Sequence, residues 1–353
     1  MSAWEPIRLE PRLAEAIWGG RRLADEFGKA LPVDRQIGES WEVFGLNPVL
    51  GGPWDGQSLD DVARQGGASV LGWRVIDDQD ASEGFPLLIK FIDARLPLSV
   101  QVHPDDGYAR AHEANRRGKT EAWYVVEADP DSALVYGLRD GVDAQRIARS
   151  VANGELERDL SYLRVRSGDA VFVPAGTVHA ISAGILLYEV QQRSEITYRL
   201  YDWGRVGADG QPRALHVDKA LAVLRFPQPP PRTAARLTIP TANGATTYLA
   251  ACAYFALAAL EGTIDGDCDG STFVALSAVR GGARLSWDGG AATLGVGESI
   301  VLPAALGRYR VEVDDGARVL RSTVPDLQTE VVVPLLAVGY RAEEIALLGD
   351  VTG

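Results

Sequence analysis

The feature that most constrains this chain is a short unit written twice. Gly168–His179 reads GDAVFVPAGTVH and Gly297–Arg308 reads GESIVLPAALGR, each a glycine, an acid, an apolar run and Pro-Ala, 129 residues apart. Both follow glycine-rich text of strand type, so they read as two copies of one strand–turn–strand unit. The second copy has Ala305 where the first has Gly176, and Arg308 where the first has His179. A chain that repeats such a unit is expected to hold two β-rich bodies.

Punctuation along the chain agrees. A length of 353 residues suits two domains. Phe226–Arg232, FPQPPPR, reads as a polyproline-like connector. Before it, HVDKALAVLRF places Val217, Leu221 and Leu224 on one face of a helix. After it come STFVALSAV, ARLSWDGG, SIVLP and YRVEVDDG, all strand-like runs broken by Gly and Asp. In the first half, Leu87–Val102 and Ala122–Gly137 read as strands. DDGYARAHEANRRG reads as a solvated helix, and VDAQRIARSVANG with ELERDLSYL as a second helical insertion. The tail after Pro325 takes no assignment.

Charge removes several function classes. With 35 Lys+Arg against 48 Asp+Glu the net charge is −13, which argues against a nucleic-acid or anionic-membrane binder. A small anionic substrate remains open, because a local cluster of Arg and Lys can override the global field. Cys252 and Cys268 have no metal-ligand spacing and make no disulfide framework. The start, MSAWEPIRLEPRL, lacks the apolar core of a signal peptide. The longest apolar run, Tyr248–Leu260, has 13 residues against the roughly 20 of a membrane span, so it reads as core. A cytoplasmic protein is expected.

Four histidines carry the candidate chemistry: His103, His112, His179 and His216. His179 closes G-x5-P-x-G-x2-H, where Pro fixes the entering chain, Gly permits a sharp reversal and His projects inward from the next strand. This pattern resembles the second motif of the cupin β-barrels, although Ala183 stands where cupins usually carry Asn. In PLSVQVHPDD, alternation puts Ser99, Gln101 and His103 on one strand face and Leu98, Val100 and Val102 on the other. Such a polar face suits a strand lining a cavity; alone, Gln101 and His103 read as a satisfied polar pair. Glu121 alone reads as a surface carboxylate, and His112 and His216 lie in solvated helical text.

Together these pieces are specific. IGESWEVFG (Ile37–Gly45), LLIKFIDARLPLSVQVHPDD (Leu87–Asp106), GKTEAWYVV (Gly118–Val126), VPAGTVHA (Val173–Ala180) and YEVQQRSEITYRLYDWGR (Tyr188–Arg205) resemble the class I mannose-6-phosphate isomerases. IWGG near Ile17 and LHVDKAL at Leu215 fit as well, in order through about the first 225 residues. The resemblance implies a mainly β fold of two cupin-type (jelly-roll) β-barrels with helices inserted in the N-terminal catalytic half. Residues 1–235 would form the catalytic barrel, with the earliest strands able to pack on the second. Residues 236–353 would form a degenerate second barrel without a metal site, plus the tail.

The resemblance also implies one Zn2+ per chain, held by Gln101, His103, Glu121 and His179. It places Arg199, Lys119 and Glu189 in catalysis and Ser99, Lys90 and Glu195 against the substrate. His179 to Glu189 is one residue longer than in some relatives, and position 195 is often Asp in the family. The implied reaction is zinc-dependent interconversion of mannose 6-phosphate and fructose 6-phosphate by proton transfer between C1 and C2 through an enediolate. The only implied partner is a small-molecule sugar phosphate, with no nucleic acid and no membrane. The sequence leaves the base open between Glu189, if burial raises its pKa, and Lys119, if a metal lowers its own. Arg199 either stabilises the enediolate or clamps phosphate. Two other readings compete: another cupin enzyme such as an Fe(II) oxygenase, and a non-catalytic sugar-binding or regulatory protein. A Gln ligand with nearby Lys and Arg fits the oxygenase poorly, and the full ligand set argues against the third reading.

Overall fold

The computed structural model describes residues 4–78, 84–114, 117–206 and 210–351. Its first half contains thirteen strands: β1 (Ile7–Leu9), β2 (Arg12–Gly20), β3 (Ile37–Val43), β4 (Val49–Leu50), β5 (Leu87–Ala94), β6 (Val100–Val102), β7 (Glu121–Ala128), β8 (Ala133–Leu138), β9 (Leu160–Arg164), β10 (Ala170–Val173), β11 (His179–Ile181), β12 (Ile185–Gln192) and β13 (Tyr198–Tyr201). The second half adds β14 (Leu237–Pro240), β15 (Gly244–Ala251), β16 (Ala256–Cys268), β17 (Val274–Arg280), β18 (Ala283–Trp287), β19 (Gly290–Leu294), β20 (Ser299–Leu302), β21 (Gly307–Val313) and β22 (Arg318–Thr323). The protein is mainly β, with curled antiparallel sheets.

In the first half, one sheet has the order β10-β7-β12-β5-β2-β3 and a second has β13-β6-β11-β8-β9. In the second half, the run β20-β17-β22-β16 continues through the long strand β16 into β21-β18-β19. Strand for strand, β10-β7-β12-β5 has the pairing order of β20-β17-β22-β16, and β11-β8-β9 that of β21-β18-β19. The chain's first strand crosses over: Ile7 lies opposite Val301 in β20, and Arg8 opposite Leu50 in β4.

Every residue of β5 and β12 is buried. One face of this sheet, with Phe91, Tyr124 and Tyr188, joins a core with Leu249, Leu257 and Leu320 of the second half. The Tyr188 hydroxyl completes that contact with the Ser322 hydroxyl at 2.9 Å. The opposite face, with Ile92, Trp123, Val125 and Leu187, closes over Leu134 and Ile181 of the five-stranded sheet. Two-sided burial explains why both strands read as almost continuous apolar runs. It also makes Lys90 and Glu189 conspicuous, since a buried charge is costly unless paired.

Helices cover the edges of the first half. Asp106–His112 is capped by the Asp105 carboxylate accepting from the Tyr108 N–H; residues 115–116 of that expected helix fall outside the described residues. Ala144–Ala152 and Val217–Val223 form as expected. ELERDLSYL is only half helical: a turn at Leu156–Asp159 gives way to β9. Asp159 there accepts from Arg146 and Ser150, ending the helical segment, and Leu160–Arg164 pairs with β8. The connector Phe226–Arg232 has no regular structure. The unassigned tail forms helical turns whose Leu327, Val331, Leu335 and Ile345 pack on Leu237 and Tyr248. No helix among the described residues is long and apolar enough to cross a membrane.

Candidate metal centre and active site

Two close approaches of the backbone build the site. Beyond β10, Pro174 leads into Gly176, whose φ is +83° and whose Cβ, if present, would lie 2.5 Å from Arg225 Cγ and 2.9 Å from the Val223 carbonyl. Only glycine fits both the left-handed conformation and the space. Its N–H donates to the His103 carbonyl at 2.9 Å, so the turn that delivers His179 is tied directly to His103. At Gly118, a Cβ would lie 2.4 Å from the Asp105 carbonyl carbon, and the next N–H, of Lys119, donates to Pro104 at 2.9 Å. That contact carries Lys119 and Glu121 to the same place.

Register then aligns the side chains. His179 stands opposite Gln101, and Gln101 opposite Arg199, forming a row across β11, β6 and β13. On the facing sheet Glu121 stands opposite Gln191, and one step along the same face Glu189 lies between Trp123 and Lys90. The histidines meet head-on: His103 Nε2 lies 3.1 Å from His179 Nε2. His179 Nε2 is 3.3 Å from Gln101 Nε2 and 3.3 Å from Glu121 Oε1. Lys119 Nζ lies 2.7 Å from Glu121 Oε2, 3.3 Å from His103 Nε2 and 3.5 Å from Glu189 Oε1. Lys90 Nζ bridges Glu189 at 3.1 Å and Glu39 at 3.2 Å. The Trp123 indole donates to Glu189 Oε2 at 2.9 Å, and the Trp41 indole to Glu39 at 2.7 Å.

The protonation states follow from burial and charge. Burial, with the Lys119 charge beside it, pushes His103 well below the ordinary imidazole value; burial takes His179 down to about 4. Both rings are therefore neutral. Each Nδ1 faces a carbonyl, Ile196 at 2.7 Å and Thr177 at 2.9 Å, which places the proton there and leaves an acceptor lone pair on each Nε2. Burial, reinforced by the Glu189 charge, raises Glu121 to about 7. For Glu189 burial acts upward too, but Lys119, Lys90 and the Trp123 bond overcome it and hold the carboxyl below its usual value.

Two facing lone pairs 3.1 Å apart repel unless a cation lies between them. Beside them, neither Glu121 oxygen receives a well-directed hydrogen bond, although Lys119 lies close. The donor atoms of His103, Glu121 and His179 all lie within 4.8 Å of one another. Ligands about 2.0–2.2 Å from one tetrahedral zinc-type ion stand about 3.3–3.6 Å apart, close to the 3.1, 3.3 and 3.7 Å that separate these atoms. Two imidazoles and a carboxylate are ordinary zinc donors, and Gln101 adds an amide after turning its oxygen inward. The residues fit a divalent metal.

The other expected site residues divide. Ser99 is buried just before β6, two residues from Gln101. Arg199 is half-buried; its Nη1 donates to the Ala214 carbonyl at 2.9 Å, and its Nε has no partner. His216 Nδ1 accepts from the Arg199 N–H at 3.2 Å, so this solvated-looking histidine supports the strand that carries Arg199. His112 stacks on Tyr108. The Lys90 ammonium lies between Glu39 and Glu189. Glu195 is exposed between β12 and β13, and among the described residues no hydrogen bond or ion pair links it to the cluster. Trp123, Trp41 and Glu39 were not foreseen; the alternation in EAWYVVEA, which puts Trp123 on the face of Glu121, was the available signal.

The family model of the type I phosphomannose isomerase catalytic domain matches residues 7–127, a span that includes Gln101, His103, Lys119 and Glu121. The mannose-6-phosphate isomerase ManA of Bacillus subtilis is 35% identical over 315 residues, which are 87% of this chain and 96% of that protein. A crystal structure of the Bacillus subtilis mannose 6-phosphate isomerase superposes with a TM-score of 0.81 at 28% identity, over 91% of this chain and 99% of that one. A zinc-bound mannose 6-phosphate isomerase shares the fold, with a TM-score of 0.71 at 17% identity over 90% and 99% of the two chains.

Proposed function

The chain belongs to the type I phosphomannose isomerase family, and from that premise we propose that it interconverts mannose 6-phosphate and fructose 6-phosphate with one zinc ion held by Gln101, His103, Glu121 and His179. The observation that carries the reading is the pair of buried, neutral histidines whose Nε2 acceptor atoms converge at 3.1 Å beside the buried Glu121 carboxylate. Bound there, zinc would supply Lewis acidity, drawing electron density from the sugar oxygens and easing loss of the adjacent proton.

The protein's own groups divide the remaining work. Glu189, held ionised by Lys90, Lys119 and Trp123, is the acceptor for the proton that leaves C2 of the aldose, and returns it at C1. Lys119, within 3.5 Å of it, is the donor for the oxygen that becomes negative. Lys90 is a positioning residue: its bridge between Glu39 and Glu189 orients the carboxylate. Arg199 shares the sheet face of Gln101 and keeps an unpartnered Nε, so it meets the developing enediolate or the phosphate as a charged donor. Ser99 supplies a hydroxyl on the same face. The exposed Glu195 has no part in this scheme.

We read the architecture as two cupin-type barrels, a catalytic one in residues 1–235 and a degenerate one in residues 236–353. The shared strand order of the two halves supports this, as does the repeated Gly-acid-apolar-Pro-Ala unit at β10 and β20. Among the described residues the second half holds no cluster of metal-ligating side chains. A coupled assay for fructose 6-phosphate, run on protein of known metal content, tests the function. Turnover that rises with zinc occupancy supports it, and inactivity at full occupancy refutes it.

A further inference from the structure

A second cavity, of about 300 Å³, lies inside the C-terminal half, lined in part by Tyr248, Ala258, Thr272, Tyr309, Arg321 and Thr323. Its place in the fold is set by register. Arg321 stands opposite Leu276 in β17 and Ala258 in β16. Glu189 stands opposite Trp123 in β7 and Lys90 in β5. Trp123 is paired in turn with Val171, and Leu276 with Ile300; Val171 and Ile300 occupy the same position in the two copies of the repeated unit. Arg321 is thus the counterpart of Glu189. By the same pairing Val274, opposite Leu302, is the counterpart of Glu121, opposite Val173. The second cavity repeats the place of the active site with its chemistry inverted. The carboxylates and Lys90 have become Val274, Arg321 and Ala258, and Leu276 replaces the larger Trp123.

The result is a half-buried cation with no paired anion. Among the described residues the partners of Arg321 are the Tyr248 and Tyr309 hydroxyls, and no carboxylate pairs with it. Three acids line the same cavity and are otherwise disposed: Glu330 pairs with Arg74 at 2.8 Å, Asp269 accepts from the Ser271 N–H, and Asp267 is exposed. Thr272 Oγ1 is buried with no partner. A half-buried guanidinium lacking a paired counter-ion is costly, and its planar fork matches phosphate and carboxylate groups. The surrounding tyrosine and threonine hydroxyls suit a ligand that also carries hydroxyls. A volume near 300 Å³ is at the lower end of ligand pockets, which run from about 300 to 1,000 Å³, so the ligand is small.

We propose that this cavity is a second, metal-free binding site that takes a small hydroxylated anion of the hexose-phosphate kind on Arg321. The proposal rests on the two halves being copies of one unit, and not on the isomerase chemistry of the first.

Glucitol 6-phosphate is a suitable probe, because without a carbonyl it cannot be isomerised. Calorimetry on the zinc-loaded enzyme should return two equivalents per chain for the wild type. Arg321→Gln should return one, with kcat/KM unchanged within about twofold. Inorganic phosphate should bind the Arg321 site at least tenfold more weakly; equal affinity would overturn the hydroxylated class. Hydrogen exchange on the wild type keeps the test independent of how the variant folds. Bound glucitol 6-phosphate should protect amides in Gly307–Val313 and Arg318–Thr323 as well as those near His179. A single equivalent, or protection near His179 alone, would overturn the second site. Zinc-loaded wild-type protein that binds two equivalents yet does not turn over mannose 6-phosphate would refute the catalytic reading instead.

Discussion

His103 and His179 point their Nε2 atoms at each other across 3.1 Å, while a backbone carbonyl holds the far nitrogen of each ring. The relationship depends on the Gly176 turn, whose N–H bonds the His103 carbonyl at 2.9 Å. A methyl group at position 176 would meet the Val223 carbonyl at 2.9 Å and face a positive φ. Gly176→Ala should therefore lower kcat/KM at least tenfold and reduce zinc affinity. Gly204→Ala, also at positive φ but with open space around it, should cost only its backbone strain, on the order of 1 kcal/mol. Equal effects at the two positions would show that crowding at the turn does not position His179.

Lys90 bridges Glu39 and Glu189 inside the protein, and its charge helps hold Glu189 below the ordinary carboxylate pKa. Removing it leaves the buried Glu189 and the half-buried Glu39 with less compensation, so the Glu189 pKa must rise. In Lys90→Met the acidic limb of the kcat–pH profile should move to higher pH and the maximal kcat should fall. An unmoved limb would mean that Glu189 is not the titrating group.

Arg199 stands opposite Gln101 with an unpartnered Nε, and it makes no ion pair with the exposed Glu195. Arg199→Ala should reduce kcat by at least a hundredfold and shift the melting temperature by no more than a few degrees. A near-normal kcat would assign the side chain to its Ala214 contact alone.

Stability depends more on a pair outside the site. The buried Asp60 carboxylate takes two hydrogen bonds from the Arg193 guanidinium, at 2.8 and 2.6 Å, and a third from the Phe85 N–H at 2.9 Å. It fastens the end of β12 to the chain entering β5. Breaking one partner of a buried pair costs about 3–5 kcal/mol, and the part-exposed Arg193 places Asp60→Ala toward the lower end. Urea unfolding of Asp60→Ala, Arg193→Ala and the double variant should show strong coupling; additive losses would contradict a cooperative pair.

Much of this was legible in particular residues. The alternation Ser99-Gln101-His103 forecast a polar strand face, and G-x5-P-x-G-x2-H forecast the turn, because both patterns follow from local backbone geometry. The repeated unit anticipated β10 and β20, whose neighbours pair in the same order. What stayed hidden depends on register between distant strands. Arg308 aligns with His179 in sequence yet is exposed beside Asp267, and Tyr309 takes the interior position instead. Lys90 and Glu189 lie 99 residues apart in the chain, and only the β5–β12 pairing shows that they neutralise each other. ELERDLSYL has helical composition, but Asp159 closes the helical turn and β8 recruits the remainder. Trp123 looks like any strand aromatic until Glu189 is found against its indole.

Metal stoichiometry measured alongside turnover tests whether one zinc, held by His103, His179, Glu121 and Gln101, is catalytic. Purified enzyme should hold one zinc-type ion per chain, lose isomerase activity on chelation and regain it with zinc. His179→Ala should lose metal and activity together, whereas His112→Ala, whose ring stacks on Tyr108 away from the cluster, should keep both. Full isomerase activity in protein stripped of metal, or one equivalent of metal retained after loss of His179, would contradict the account.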